Sequence, residues 1–279
     1  MKILIIGAKG MLGQYLAEVF SGNELYLWDK EEIDITNETQ SREKVTELKP
    51  DLIINAAAYN AVDNCESPEG FEIAKKVNGE GPGYLAKIAK ELGATFVHYS
   101  SDYVFAGDNK EGYKEDDKPS PVNKYGESKL LGEQNIAKFG EKYYILRTCK
   151  LFGKPASSIE AKKSFVDLML NLAEKHAKLE VVDEEYASPT YALDLAKRTK
   201  EIIKGEYPFG IYHTTNSDAC TWYEFAKEIF KIKNMDVKVD PVTSDKFPRP
   251  ARRPKFSVLL NTKLPEMRSW RESLKEYLK

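Results

Sequence analysis

The chain has 279 residues, 42% hydrophobic and 31% charged. That is the make-up of a folded protein with a real core, not of a disordered tract. Its 42 Lys and Arg against 44 Asp and Glu leave a formal charge of −2, which argues against a protein whose main work is gripping nucleic acid. Cys65, Cys149 and Cys220 are scattered and odd in number, a pattern of reduced thiols in the cytoplasm and not of a disulfide framework or a zinc site. No apolar run approaches the ~20 residues of a membrane span.

Taken in chain order, Lys2-Ile-Leu-Ile-Ile6 is a continuous apolar, β-branched run, as in a strand buried on both faces. It is too short for a signal peptide. A glycine loop follows, then a helix with Leu12, Leu16, Val19 and Phe20 at helical spacing. Leu25–Trp28 reads as a strand, Ser41–Leu48 as a helix stopped by Pro50, and Asp51–Asn55 as a strand running into Ala56, Ala57 and Ala58. Helices are expected over Gly70–Val77 and Gly83–Leu92, the second closed by Gly93. Thr95–Tyr99 is a strand, Lys124–Lys138 a long helix and Tyr143–Arg147 a further strand.

This alternation predicts an α/β fold over residues 1–150, a doubly wound parallel sheet of the Rossmann type that binds a dinucleotide. Residues 151–279 read as a smaller α/β substrate-binding domain, free to exchange segments with the first. Its elements are helices at Phe165–His176, Leu193–Lys204, Trp222–Phe230 and Ser269–Tyr277, strands at Leu179–Val182 and Ile211–His213, and an extended stretch over Lys246–Pro254. Nothing linker-like separates the halves, which predicts close packing with a cleft between them.

Three groups of residues carry chemistry. The loop Gly7-Ala-Lys-Gly10-Met11-Leu12-Gly13 joins a strand to a helix. Its glycines permit a tight turn, a close approach of backbone to a pyrophosphate and close helix packing, and the helix N-terminus offers free N–H groups to phosphate. Asp29, just past the second strand, suits an adenosine ribose diol, whereas Lys30 suits a 2′-phosphate, so NADH and NADPH both stay open. In Tyr125-Gly-Glu-Ser-Lys129 the first and last residues share a helix face. An ammonium there lowers the pKa of the phenol and lets it act as a proton donor to a carbonyl oxygen. Ser101, or equally Ser100, stands at the carboxyl end of a strand, where it can orient that carbonyl.

The GxxGxxG spacing looks like that of the extended short-chain dehydrogenase/reductases. The chain resembles, nearly end to end, the dTDP-4-dehydrorhamnose reductase family within that group. The resemblance is carried by Gly7–Gly13, Asp34-Ile-Thr36, Asn55–Asp63, Val77-Asn78, Tyr99–Phe105, Pro121–Lys129, Leu146–Thr148, Pro189-Thr190, Trp222–Ala226 and Arg253-Pro254. It implies hydride transfer from NADPH or NADH to C4 of a dTDP-4-keto-6-deoxy sugar, with Tyr125 as proton donor, Lys129 as its electrostatic helper and Ser101 as carbonyl ligand. It also implies that Asp34, Ile35, Ala56, Ala57, Ala58, Asn78 and Ser100 line the cofactor, and that Val62, Asp102, Tyr103 and Arg253 lie near the nucleotide sugar.

The chain departs from the family at four places. Cys149-Lys150 stands where the family has Ser-Trp, which makes Lys150 a candidate ligand for a sugar hydroxyl or phosphate. Glu185 and Ala187 replace a Gln and a Gly, Pro155–Lys163 is longer and more charged, and Tyr15 replaces a glutamate tied to a magnesium-bridged dimer interface. No metal is expected, and monomer and homodimer both stay open. Two other readings stay open as well: a reductase or epimerase of another nucleotide sugar, and a non-catalytic relative of the type that partners methionine adenosyltransferase.

Overall fold

The structure is a computed structural model and describes residues 1–157 and 163–279. Strand β1 (Lys2–Ile6) is flanked by β2 (Glu24–Trp28) and β3 (Leu52–Asn55), with helices α1 (Met11–Val19) and α2 (Glu38–Leu48) as the crossovers. The chain continues through α3 (Pro68–Ala74), α4 (Gly81–Leu92), β4 (Thr95–Ser101), α5 (Lys124–Phe139) and β5 (Tyr143–Thr148). The second half adds β6 (Leu151–Phe152), α6 (Phe165–Ala173), β7 (Lys178–Val182), β8 (Thr190–Tyr191), α7 (Ala192–Lys204) and β9 (Gly210–His213). It ends with β10 (Asn216–Ser217), α8 (Trp222–Ile232), β11 (Lys238–Val242), β12 (Met267–Ser269) and α9 (Trp270–Tyr277).

Six parallel strands make the main sheet, in the order β2-β1-β3-β4-β5-β9. This is the predicted doubly wound arrangement, because parallel strands must be joined by crossovers and the helices then cover both faces. Alternate residues of one strand feed two cores: Ile3 and Ile5 pack with Leu16 and Leu195, and Leu4 and Ile6 with Ile53, Leu85 and Ile145. The sixth strand comes from the second half of the chain, Arg147 pairing with His213, so residues beyond 150 complete the main sheet.

Two local departures shape the site. The expected gap between helices at residues 78–82 is bridged by a π-helical turn, Lys75–Glu80, that runs from α3 into α4. Such turns concentrate at functional places, and this one carries Asn78. The stretch over Lys246–Pro254 starts in a 3₁₀ turn, Ser244–Lys246, and its continuation returns to the first half: Phe256 bridges to Asp108 and Leu259 to Tyr113. Among the described residues no helix is long and apolar enough to cross a membrane.

Candidate active site

At the carboxyl edge of β1, Gly7 holds φ +79°, and its α-carbon abuts the backbone where β3 ends. A Cβ there would lie 2.7 Å from Ala57 N and 2.8 Å from Ala56 C. A Cβ on Gly13 would meet Gly7 O at 2.2 Å. Gly10 caps α1 without a side chain, and no acid occupies the first turn. The N–H groups of Met11, Leu12 and Gly13 therefore stay available to an anion, with the helix dipole behind them. Asp29 accepts the N–H of Lys9 at 3.0 Å, which sets its carboxylate beside the loop.

Ala56, Ala57 and Ala58 lie half-buried next to this loop. Ser100 brings a buried hydroxyl that has no hydrogen-bond partner among the described residues. An uncapped, Cβ-free cradle and an orphaned hydroxyl suit a dinucleotide. Three other residues expected to line the cofactor are engaged within the protein. Asn78 accepts from Tyr59 N at 2.8 Å and donates to Tyr59 O and to the Ser128 hydroxyl, both at 3.0 Å. Its polar atoms are thereby spent on tying the loop after β3 to α5. Asp34 accepts from the N–H and hydroxyl of Thr36, and Ile35 is buried in the core.

Helix α5 starts at Asn123, whose side chain accepts from Gly126 N at 2.8 Å and donates to Arg252 O at 2.8 Å. One residue thus caps the helix and fixes the arginine segment beside it. Tyr125 packs edge-on to Tyr103, centroids 5.7 Å apart, in a cluster with Val62 and Cys65. The Tyr125 hydroxyl bonds Asn60 Oδ1 at 3.3 Å. Burial is the main cause that pushes the Tyr125 phenol well above its usual range, the Asp102 carboxylate adds to it, and the Ser101 hydroxyl beside it works the other way.

Ser101 donates to Asp102 Oδ1 at 2.9 Å, and Ser257 to Asp102 Oδ2 at 2.6 Å. Asp102 itself is pushed up to about 6, chiefly by burial. Ser101, Asp102, Tyr103, Val62 and Tyr125 are therefore brought together. Arg253 joins them from the far end of the chain, pairing with Asp63 at 2.8 Å and donating to Ala251 O at 3.0 Å. A cavity of about 460 Å³ opens beside Arg253, its wall carrying Arg249, Arg252 and Lys255 together with Asp108, Glu185 and Asp245.

The lysines behave differently from expectation. Lys129 turns its amine away from the phenol, donating to Tyr99 O at 2.6 Å and lying 3.3 Å from His98 Nε2. It is buried, and burial lowers its pKa to about 8 against the opposing pull of Glu133. The expected lowering of the Tyr125 pKa by this lysine is thus corrected: in this arrangement desolvation wins and the phenol rises. Lys150, read as a substrate ligand, has its ammonium engaged by protein. It donates to Glu185 O at 2.8 Å and Cys220 O at 3.1 Å, and lies 4.2 Å from the centroid of the Trp222 ring. A buried ammonium takes the nearest carbonyls, and the backbone at Lys150 is left-handed (φ +44°).

Tyr15 is buried as well, in edge contact with Tyr191 and accepting from Lys154 N at 3.1 Å. Sequence reasoning gave no role to Asn60 or His98; Glu185, marked in the sequence as a departure from the family, receives Trp222 Nε1 at 3.0 Å and an ion pair from Arg249. Asn60 lies inside the block Asn55–Asp63, and that position was the available signal.

The family described as RmlD substrate binding domain matches residues 1–279. The chain belongs to that family. A dTDP-4-dehydrorhamnose reductase of Burkholderia thailandensis is 36% identical, over 95% of this chain and 92% of its own length. A solved dTDP-4-dehydrorhamnose reductase of Clostridium acetobutylicum is 42% identical with a TM-score of 0.93, covering 100% of this chain and 98% of its own. That of Bacillus anthracis, solved in complex with NADP, is 37% identical with a TM-score of 0.93, and 99% of each chain is covered. The resemblance and the fold read from the sequence are both borne out.

Proposed function

We propose that the protein is an NADPH- or NADH-dependent reductase that converts the C4 ketone of dTDP-4-dehydro-6-deoxy-L-mannose to the alcohol of dTDP-L-rhamnose. The observation that carries this reading is the meeting of Tyr125 and Ser101 at the carboxyl edge of the sheet, on the same side as the Cβ-free cradle of Gly7 and Gly13. The near full-length similarity to reductases of that name supports the substrate.

The cradle, with Met11, Leu12 and Gly13 N–H groups, would hold the pyrophosphate, and Asp29 the adenosine ribose. Ala56, Ala57, Ala58 and Ser100 would line the nicotinamide end. The bound nicotinamide supplies hydride to the ketone carbon. Tyr125, kept protonated by its buried setting, gives its proton to the ketone oxygen. Ser101 rotates from Asp102 to donate a hydrogen bond to the same oxygen, and Lys129 moves forward to balance the tyrosinate. The arginines of the cavity, set among Asp108, Glu185 and Asp245, would meet the diphosphate of the substrate, and Val62, Asp102, Tyr103 and Arg253 its sugar end. A cytoplasmic location, a nucleotide-sugar partner and no nucleic acid follow from this reading, with monomer and homodimer both compatible.

The test is oxidation of NADPH and NADH with the dTDP-linked keto sugar, alongside UDP- and GDP-linked keto sugars. Tyr125→Phe is expected to lower kcat by about 10²–10⁴-fold while cofactor binding persists. Full activity in that variant, or preference for another base, overturns the reading.

A further inference from the structure

His98 is fully buried on β4, opposite Asn55 of β3, and neither residue has a role in the chemistry above. Together they form a chain of hydrogen bonds from the lysine to the cofactor loop. Ala57 N–H donates to Asn55 Oδ1 at 3.2 Å, Asn55 Nδ2 lies 3.2 Å from His98 Nδ1, and His98 Nε2 lies 3.3 Å from Lys129 Nζ. The far end, Ala57, is the backbone against which Gly7 is packed.

Counting protons along the chain fixes its state. Because the Asn55 oxygen is taken by Ala57, its amide nitrogen is the group facing His98 and must donate to Nδ1. The imidazole hydrogen is then on Nε2, pointing at Lys129. An ammonium has no lone pair to receive it, whereas a neutral amine does. A charged lysine fits only if both the imidazole tautomer and the amide reverse, and then Ala57 N–H faces a second donor. His98 cannot relieve this by taking a proton, since burial holds its pKa far below the usual histidine range.

We propose that His98 is a positioning residue that holds Lys129 back from Tyr125 as a neutral amine in alkaline solution, and that cofactor binding there draws the lysine forward with uptake of one proton from solvent. The bond made is Nζ–H, and the proton comes from water or buffer. The other titratable groups around Lys129 are Glu133, one turn along α5 and paired with Arg147 of β5, and Tyr125, one turn back with its hydroxyl on Asn60. Neither offers Nζ a competing partner in this position. The lysine's lowered pKa of about 8 puts the uptake on the alkaline side: near complete at about pH 9 and vanishing toward about pH 6.5.

The inference rests on the cofactor reading of the site, and its test separates the two. NADPH is titrated by calorimetry at about pH 9, where its 2′-phosphate is fully ionised, in buffers of different ionisation heat. Close to one proton taken up per cofactor is expected. In His98→Gln the amide oxygen accepts from an ammonium, so Lys129 is charged beforehand and uptake is lost. NADPH bound without proton uptake, or with equal uptake in the variant, overturns the role of His98 alone. Failure to bind at all overturns the cofactor reading and this inference together. Should His98→Gln not fold, ¹⁵N-histidine spectra of the unaltered free protein at about pH 9 decide: an Nε2–H imidazole supports the proposal, and an Nδ1–H imidazole overturns it.

Discussion

Asp102 and Ser257 lie 155 residues apart and are joined by a hydrogen bond of 2.6 Å, the Ser257 hydroxyl donating to the carboxylate. This bond fastens the C-terminal segment to the end of β4, and it holds a buried acid whose pKa has risen to about 6. The sign of the linkage is unfavourable to the fold at neutral pH. An acid raised on folding is at ease when protonated, so this contribution is best below the unfolded pKa and is lost as pH climbs through about 6. A rise of about two pKa units corresponds to at most about 3 kcal/mol above pH 7. Asp102→Asn removes that cost and gives up one acceptor, worth about 1 kcal/mol. Urea unfolding should show the variant about 1–2 kcal/mol more stable than the parent at pH 8, with the advantage gone at pH 4.

Glu133 and Arg147 form a bidentate pair at 2.7 and 2.9 Å, with both side chains almost wholly buried. The arginine also donates to Glu115 O at 3.1 Å and lies 5.0 Å from the centroid of the Phe105 ring. Removing one partner leaves a desolvated charge with nothing to balance it. Glu133→Leu should lose about 3–5 kcal/mol, and adding Arg147→Met should recover much of it. Additive losses in the double-mutant cycle would show that the pair does not act as a unit.

The sheet was legible because strands buried on both faces read as apolar runs, as Lys2–Ile6 and Leu52–Asn55 do. The two-residue strands β6 and β8 carry no periodicity, and Pro241 disguises β11. Of the site, Tyr125, Ser101 and the glycines could be placed because their spacing is local. The orientation of Lys150 could not: its partners Glu185 and Cys220 are 35 and 70 residues away, and only the fold brings them near. The same holds for Asn78, whose side chain is consumed by Tyr59 and Ser128.

Gly7→Ala tests the cradle directly. The new methyl group meets backbone atoms at 2.7 and 2.8 Å, and a φ of +79° strains any L side chain. The strain alone costs about 1 kcal/mol or more, and the overlap forces Ala56–Ala57 away from the loop. Binding of NADPH, followed by its fluorescence, should weaken at least about tenfold, since a displacement of 1.4 kcal/mol already does that much. Unchanged affinity would remove the loop from the cofactor site.

Lys150 offers a choice between a structural and a substrate role, and Lys150→Met distinguishes them. Methionine keeps most of the stem and the packing on Trp222, but withdraws the ammonium from the carbonyls of Glu185 and Cys220. The Cys220 carbonyl keeps the N–H of Ala187 at 3.3 Å, so Glu185 O is the acceptor orphaned, at a cost of about 1–3 kcal/mol that is partly offset because a desolvated ammonium is removed. The expected result is a melting temperature several degrees lower, with KM for the nucleotide sugar within about twofold of the parent. The reverse pattern, an unchanged melting temperature and a KM raised about tenfold or about 1.4 kcal/mol, would mean that the ammonium leaves its carbonyls to meet the substrate. In that event the family's aromatic position would have been exchanged for a charged contact, and the preferred sugar would have changed with it.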